Sequence, residues 1–82
     1  MCRLLFVKSD APVSMQHHLE KFAQTAKNSP EDQSHGWGCA WLESGKWQFY
    51  HNIKPIWEDR FERFKPCDYF LAHARSAYRN EG

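Results

Sequence analysis

The chain begins Met1-Cys2-Arg3-Leu4-Leu5-Phe6-Val7, in which a cysteine at position two is followed by a short and nearly continuous apolar run. A strand with one face in water alternates apolar and polar residues, whereas a strand covered on both faces does not. We therefore predict a strand from Cys2 to Val7 that is buried on both faces. The segment Ala11-Pro12-Val13 is expected to break the extended chain after it.

Cys2 has a distinctive chemistry, because removal of Met1 leaves one residue that carries both a thiol and a free α-amine. The reference pKa values of these groups are about 8.5 and about 7.7 to 8.0, so modest tuning can supply a thiolate and a neighbouring proton acceptor. Cys2 is therefore a candidate catalytic nucleophile. The alternative is that Cys2 is a small apolar residue that opens a buried strand.

An amphipathic helix is predicted to begin after Ser14 and to end near Asn28. Ser14 is a favourable N-cap residue, and apolar residues recur at helical spacing after it. These residues are Met15, Leu19, Phe22, Ala23 and Ala26. His17 and His18 are adjacent and would point about 100° apart on a helix, so we predict no metal site there.

Residues 28–38 are rich in Asn, Ser, Pro, Asp and Gly and are expected to form a loop. Within it, His35-Gly36-Trp37-Gly38 places a glycine on each side of a tryptophan. This arrangement permits positive φ angles and close backbone approach beside a large flat side chain. Two interpretations stay open: the four residues line a functional site, or they form a tight turn anchored by a core tryptophan.

Two strand-like runs, Cys39 to Leu42 and Lys46 to His51, are separated by Glu43-Ser44-Gly45 and should pair as an antiparallel hairpin. A short second helix ending before Pro66 is predicted next, because large apolar residues recur at i, i+4 and i+7. These residues are Trp57, Phe61 and Phe64. The charged residues between them are expected to form a solvated face.

The last predicted strand, Tyr69 to Arg75, begins apolar and finishes with a charge. A guanidinium at a strand end can bind a carboxylate through two parallel hydrogen bonds, which makes Arg75 a candidate binding residue. The alternative for Arg75 is a surface ion pair. His73, two residues earlier, is a candidate site-lining residue.

Composition limits the classes of partner. The chain has 11 basic and 10 acidic side chains in 82 residues, a formal charge of +1, which does not indicate binding to nucleic acid. Cys2, Cys39 and Cys67 are odd in number and widely spaced, so they suit neither a disulfide framework nor a zinc site and favour a reducing compartment. No signal peptide and no apolar stretch of roughly 20 residues is found, and we expect a cytoplasmic protein without a membrane partner.

Three segments resemble class II glutamine amidotransferases, a family of N-terminal-nucleophile hydrolases. Met1-Cys2-Arg3-Leu4-Leu5-Phe6 is similar to the start of that family, Ser34-His35-Gly36-Trp37-Gly38-Cys39-Ala40-Trp41 to its Gly-Trp-Gly turn, and Leu71-Ala72-His73-Ala74-Arg75-Ser76-Ala77 to its strand ending in arginine. The resemblance implies that residues 1–82 are the N-terminal part of a glutamine amidotransferase type 2 domain. The implied fold is α+β, with antiparallel strands and two helices that begin a four-layer αββα sandwich.

The resemblance also implies a reaction. Cys2, freed of Met1, would attack the side-chain amide of glutamine to give a γ-glutamyl thioester and ammonia, its α-amine would act as base, and Arg75 would hold the substrate carboxylate. No metal or other cofactor is implied, and a synthase that accepts ammonia is a candidate partner. The family's oxyanion-hole Asn-Gly pair and its substrate-binding acid do not lie in this chain, so residues 1–82 alone are not expected to be active.

Two alternative functions remain open from the sequence. The first keeps the Cys2 hydrolase but gives it other γ-glutamyl amides or peptides as substrates. The second is a non-catalytic interaction domain, in which Cys2 and Arg75 are ordinary residues and exposed aromatic side chains form a partner surface.

Overall fold

The computed structural model describes residues 3–28 and 36–75. Their elements, in chain order, are strand β1 (Arg3–Val13), helix α1 (Met15–Lys27), strands β2 (Trp37–Glu43) and β3 (Lys46–Asn52), a 3₁₀ helix (Ile56–Glu58) and strand β4 (Cys67–Ala74). The strands form one antiparallel sheet in the order β1-β4-β2-β3. The described part of the chain is therefore a small α+β fold with a four-stranded sheet and one α-helix, which confirms the predicted class at this level.

Helix α1 has the predicted position and the predicted buried face. The Ser14 hydroxyl accepts a hydrogen bond from the His17 backbone N–H at 3.0 Å, which caps the first turn. The buried residues of the helix are Met15, Leu19, Phe22, Ala23 and Ala26. Among the described residues, no helix has both the length and the apolar character needed to cross a bilayer.

The β2–β3 hairpin is also confirmed, with a tighter turn than predicted. Glu43 pairs with Lys46, so the connection consists of Ser44 and Gly45 alone. Both residues have positive φ angles, 54° and 78°, as two-residue hairpin turns of the type that matches strand twist require. Strand β2 begins at Trp37, so the loop predicted to extend to Gly38 ends earlier.

Strand β1 is longer than predicted, because it continues through Ala11-Pro12-Val13 to its end at Val13. The register against β4 shifts between Lys8 and Val13, so the ladder is irregular over this stretch. Proline lacks the N–H that a central strand needs, but it is tolerated where a strand lies at a sheet edge. The prediction that these residues break the strand is wrong.

The prediction that β1 is buried on both faces is also wrong in this structure. Leu5 and Val7 pack against the core, whereas Leu4 and Phe6 on the opposite face are 77% and 61% exposed. Strand β1 thus has one covered and one uncovered face. Its apolar run resembles that of a doubly buried strand because both faces carry large apolar residues.

The predicted second helix is replaced by the short 3₁₀ helix and a turn. Asp59 follows the 3₁₀ helix in an extended conformation, and its carboxylate accepts a hydrogen bond from the Arg60 N–H at 2.8 Å. A short helix is marginal in water, and an aspartate that binds nearby N–H groups offers the backbone an alternative. Phe61 and Phe64 are nevertheless buried, so their apolar spacing serves the core without a helix.

One face of the sheet packs against α1 and the 3₁₀ segment, and this side holds the core. The largest fully buried side chains are Trp37, Phe70, Met15, Leu19 and Ile56. The opposite face, which we call the open face, is covered by none of the described elements. It carries Leu4 and Phe6 from β1, Tyr69 from β4, and Trp47 and Phe49 from β3. The ring of Tyr69 contacts those of Phe6 and Trp47, at centroid distances of 5.7 and 5.0 Å, so these aromatic side chains form a continuous apolar surface.

Candidate functional site

The segments that resemble one family meet at one end of the sheet. Arg3 at the start of β1 and Trp37 at the start of β2 both pair with Ala74 at the end of β4. Residue 2 precedes Arg3 in the chain and Arg75 follows Ala74. The three segments are separated by 27 and 29 residues along the chain, and the strand order brings them to the same end of the sheet.

Arg75 lies directly after β4 and is exposed. Its backbone N–H donates a hydrogen bond to the Gly36 carbonyl oxygen at 2.8 Å, which continues the β2–β4 ladder by one step. The backbone of Arg75 is thus fixed while its guanidinium group has access to solvent. This arrangement fits both interpretations of Arg75, a carboxylate-binding residue and a surface ion pair.

Two candidate site residues, Cys2 and His35, lie outside the described residues. Cys2 is bonded to Arg3, the residue that pairs with Ala74, and His35 is bonded to Gly36. Both therefore adjoin, along the chain, the sheet end that carries Arg75.

Gly36 occupies a position that only glycine fits. Its φ angle is +110°, and an added Cβ would lie 3.0 Å from the Asn52 carbonyl oxygen and 3.5 Å from the Ile53 α-carbon. The 3.0 Å contact is unusually tight and is with a backbone atom, which cannot move aside cheaply, whereas 3.5 Å is an ordinary van der Waals distance. Gly36 therefore lets the chain enter β2 in close contact with the end of β3.

We expect Gly36→Ala to lower the free energy of unfolding by about 1 to 3 kcal/mol, because it combines a disfavoured φ angle with a backbone clash. Gly45→Ala is the matched control: Gly45 has a φ of +78°, but an added Cβ there has no neighbour within 4 Å. Urea denaturation of both variants measures the difference. An equal cost at the two positions would show that the contact with Asn52 is unimportant.

Trp37 is a core residue. Its side chain is 1% exposed and its ring packs edge-to-face on Phe61 and Phe64, at centroid distances of 5.6 and 6.1 Å. Of the two interpretations of the Gly-Trp-Gly segment, this geometry favours the structural one, in which the buried indole ring anchors the segment. The backbone beside it, at Gly36, is the part that reaches Arg75.

Gly38 and His73 are opposite each other on the open face. They are paired across β2 and β4, and His51 pairs with Gly38 from the other side. An added Cβ on Gly38 would lie 3.1 Å from His73 Nε2 and 3.3 Å from the His51 Cβ. The His73 ring thus occupies the space that the missing side chain leaves. Within residues 3–28 and 36–75, no group of three or more His, Cys, Asp or Glu side chains is arranged to hold a metal ion.

Asp59 was not predicted as an important residue, yet it links side chains of β2 and β3 near this sheet end. Its Oδ2 accepts hydrogen bonds from the Tyr50 hydroxyl at 2.8 Å, Trp37 Nε1 at 3.0 Å and Asn52 Nδ2 at 3.2 Å. The Asp59 side chain is only 7% exposed, so the expectation that the charged residues of this segment form a solvated face is wrong for Asp59. No local pattern separates it from Glu58, because its donors come from β2 and β3.

The charge of Asp59 is favoured by these donors. Burial raises the pKa of the carboxyl group, but the hydrogen bonds from Tyr50, the Arg60 N–H, Trp37 and Asn52 outweigh it, so that the pKa lies below its ordinary value. The Arg63 guanidinium group, 3.6 Å from Oδ1, adds a partly exposed ion pair. Asp59 is therefore an ionised, hydrogen-bonded buried group at neutral pH.

A depressed pKa in the folded state has a defined consequence for acid stability. The ionised carboxylate stabilises the fold at pH values above the unfolded-state pKa of about 3.9, and this contribution is lost as the pH falls below it towards the folded-state pKa. We expect Asp59→Asn to lower the free energy of unfolding by about 1 to 3 kcal/mol at pH 7 and by progressively less below about pH 4. Urea denaturation across a pH series measures this, with the exposed Asp10→Asn as control. A loss of unfolding free energy that is the same at every pH would contradict a stabilising role for the ionised Asp59 carboxylate.

The two described cysteines, Cys39 and Cys67, are free and buried. Burial raises the pKa of the Cys39 thiol to about 12, and the nearby Asp59 carboxylate contributes in the same direction. The Cys67 thiol lies 3.3 Å from the carbonyl oxygens of Leu42 and Tyr69 and donates to them. Both thiols are buried, whereas a reactive cysteine is exposed to its substrate.

A surface pocket of about 500 Å³ lies at the other end of the sheet. It is lined by the end of β2, the start of β4 and the residues before it, among them Trp41, Glu43, Arg63 and Cys67. Arg75 and Gly36 are at the opposite strand ends, so this pocket is separate from the candidate site.

Comparisons of the chain with protein-family models, curated proteins and solved structures gave no match.

Proposed function

We propose that the chain is the N-terminal part of a class II glutamine amidotransferase domain, an amidohydrolase with Cys2 as nucleophile. The observation that carries the proposal is the meeting of three family-like segments at one sheet end, through the pairs Arg3–Ala74 and Trp37–Ala74 and the Arg75–Gly36 hydrogen bond. Local sequence patterns do not require this convergence. It supports a common site for Cys2 and Arg75.

The proposed reaction has two steps. The Cys2 sulfur forms a bond to the amide carbon of the glutamine side chain, the carbon–nitrogen bond breaks, and ammonia leaves with the proton that the α-amine of Cys2 took from the thiol. Water then attacks the γ-glutamyl thioester, and glutamate leaves as the thiol is restored. A synthase partner would consume the ammonia.

Arg75 would orient the substrate in this reaction. Its guanidinium group is exposed while its backbone is held by Gly36, so it can form two hydrogen bonds to the glutamine α-carboxylate. Holding the carboxylate at one end aligns the amide at the other end with the nucleophile.

The open face supports the sandwich that the proposal implies. In a four-layer αββα fold, a second sheet covers the face of the first sheet that is turned away from its helices. Here that face carries Leu4, Phe6, Trp47 and Phe49, with exposed fractions from 40% to 77%. An apolar surface of this kind is what a second sheet requires.

The open face also favours a second candidate function. A contiguous exposed apolar surface is typical of interaction sites, so a non-catalytic interaction domain would present the same residues to a partner protein. The two functions differ in what they require of Cys2 and Arg75. An interaction domain needs neither a reactive thiol nor a carboxylate-binding guanidinium group.

Glutamate and ammonia release from L-glutamine by the full-length protein is the direct test. We expect hydrolysis of glutamine, and a parallel assay with γ-glutamyl peptides distinguishes a glutaminase from a broader γ-glutamyl hydrolase. No hydrolysis of either substrate by folded protein would favour the interaction domain.

Removal of Met1 is a further expected outcome, because the Cys2 nitrogen cannot accept the thiol proton while it is part of the peptide bond to Met1. Methionine aminopeptidases generally accept a small residue such as cysteine at position two, so active protein should begin at Cys2. Intact-mass measurement on active material checks this. Full activity with Met1 still attached would rule out the α-amine as base.

A further inference from the structure

We infer that Asp59 is a positioning residue for Arg75, acting through the backbone of Gly36. The inference rests on the proposed function, in which Arg75 binds the substrate carboxylate. The Asp59 side chain is buried, and the hydrogen bonds it accepts come from Trp37, Tyr50, Asn52 and Arg60. None of these donors is Arg75 or a residue of β4. Its effect on the site is therefore indirect.

The first link runs through β2. The Asp59 carboxylate accepts a hydrogen bond from the Trp37 indole at 3.0 Å, and Trp37 is the first residue of β2. Gly36 precedes Trp37, and its carbonyl oxygen accepts the hydrogen bond from the Arg75 N–H at 2.8 Å. The indole hydrogen bond thus anchors the residue that directly follows the Gly36 carbonyl group.

The second link runs through β3. Asp59 also accepts a hydrogen bond from the Asn52 side chain at 3.2 Å, and Asn52 is the last residue of β3. The Asn52 carbonyl oxygen is only 3.0 Å from the position of a Cβ on Gly36, so the two backbones are in close contact. One carboxylate thus holds both segments that enclose Gly36.

The arrangement predicts which kinetic parameter responds. In Asp59→Asn the uncharged amide has one acceptor oxygen in place of the carboxylate, which weakens the hold on Trp37 and Asn52 together, so we expect Gly36 and the hydrogen-bonded Arg75 to shift. A displaced Arg75 weakens the hold on the substrate carboxylate, whereas the Cys2 nucleophile is next in sequence to Arg3 of β1 and not to β4. The expected change is therefore in KM, with little change in kcat.

The test compares Asp59→Asn, Trp37→Phe and Tyr50→Phe in the full-length protein. Trp37→Phe removes the indole donor together with part of a buried ring, so its melting temperature is measured alongside KM. Tyr50→Phe is the control: it removes a donor to Asp59 and an acceptor of Asn52 Nδ2, but it leaves the hydrogen bonds from Trp37 and Asn52 to Asp59 in place. We expect Asp59→Asn to raise KM for L-glutamine about tenfold with kcat within about twofold, and Trp37→Phe to change KM in the same direction. Tyr50→Phe should lower the melting temperature without changing KM.

A double-mutant cycle with Arg75→Lys identifies the route of the effect. If Asp59 acts through Arg75, Asp59→Asn should raise KM little further in the Arg75→Lys background. An unchanged KM in both Asp59→Asn and Trp37→Phe, or full additivity with Arg75→Lys, would overturn the inference and leave Asp59 a purely structural residue. If Asp59→Asn does not fold, the KM of Trp37→Phe, alone and combined with Arg75→Lys, decides whether the inference holds.

Failure of the proposed function has a different signature. Folded parent protein would then hydrolyse no glutamine, and a glutamine-like electrophile would not label Cys2. In that case the inference about Asp59 falls together with the function. Active parent protein with an unchanged KM in the variants overturns the inference alone.

Discussion

Cys2→Ala is expected to abolish glutamine hydrolysis by the full-length protein. The proposed reaction passes through a covalent bond to the Cys2 sulfur, and removal of a hydrolase nucleophile lowers kcat by on the order of 10⁴-fold or more. The fold should be retained, because the substitution removes only one sulfur atom from a small side chain. Steady-state assays and a melting curve on the same preparation measure both effects.

Cys67→Ala is the matched control for this experiment. Cys67 is free and buried at the far end of the sheet from Arg75, so its loss should reduce stability and leave kcat nearly unchanged. Turnover that survives in Cys2→Ala would exclude Cys2 as the nucleophile.

Arg75→Lys is expected to raise KM for glutamine about ten- to hundredfold, with a smaller effect on kcat. Lysine keeps the charge but loses the planar fork that binds a carboxylate through two hydrogen bonds. The loss of one charge-assisted pair corresponds to about 1.5 to 3 kcal/mol. The exposed position of Arg75 makes a large change in stability unexpected.

Arg60→Lys is the corresponding control, because Arg60 is also exposed and contributes only its backbone N–H to the Asp59 carboxylate. It should leave KM and the melting temperature unchanged. A structural arginine at position 75 would behave differently: Arg75→Lys would lower the melting temperature and leave KM unchanged.

The parts of the fold that follow from local chemistry were predictable from the sequence. The Ser14 cap and the apolar spacing after it define α1, and a short turn that ends in glycine defines the β2–β3 hairpin, although the predicted connection was one residue longer than the observed one. The last strand was also predicted, as Tyr69 to Arg75; the observed strand is Cys67–Ala74, and Arg75 directly follows it. Each of these features depends on residues that are close in the sequence.

The errors arise where distant contacts decide the structure. The spacing of Trp57, Phe61 and Phe64 predicts a helix, but Asp59 between them is held in an extended conformation by donors from β2 and β3. Likewise, the apolar run of β1 cannot reveal that the strand lies at an edge of the described sheet. Both outcomes depend on pairings between segments far apart in the chain.

The candidate site divides in the same way. Individual residues such as Arg75 and Gly36 could be selected from the sequence, but their meeting requires the strand order β1-β4-β2, which no local pattern encodes. Asp59 was missed because its importance comes from three donors that are seven to 22 positions away in the sequence.

The central claim is that Cys2 is a nucleophile in a site that binds glutamine. Its most direct test is to treat the full-length protein with a glutamine-mimicking electrophile and to locate the label by peptide mass spectrometry. We expect one label per chain, on Cys2, with protection by excess L-glutamine. A label on Cys39 or Cys67 instead, or labelling of Cys2 that glutamine does not slow, would contradict the account.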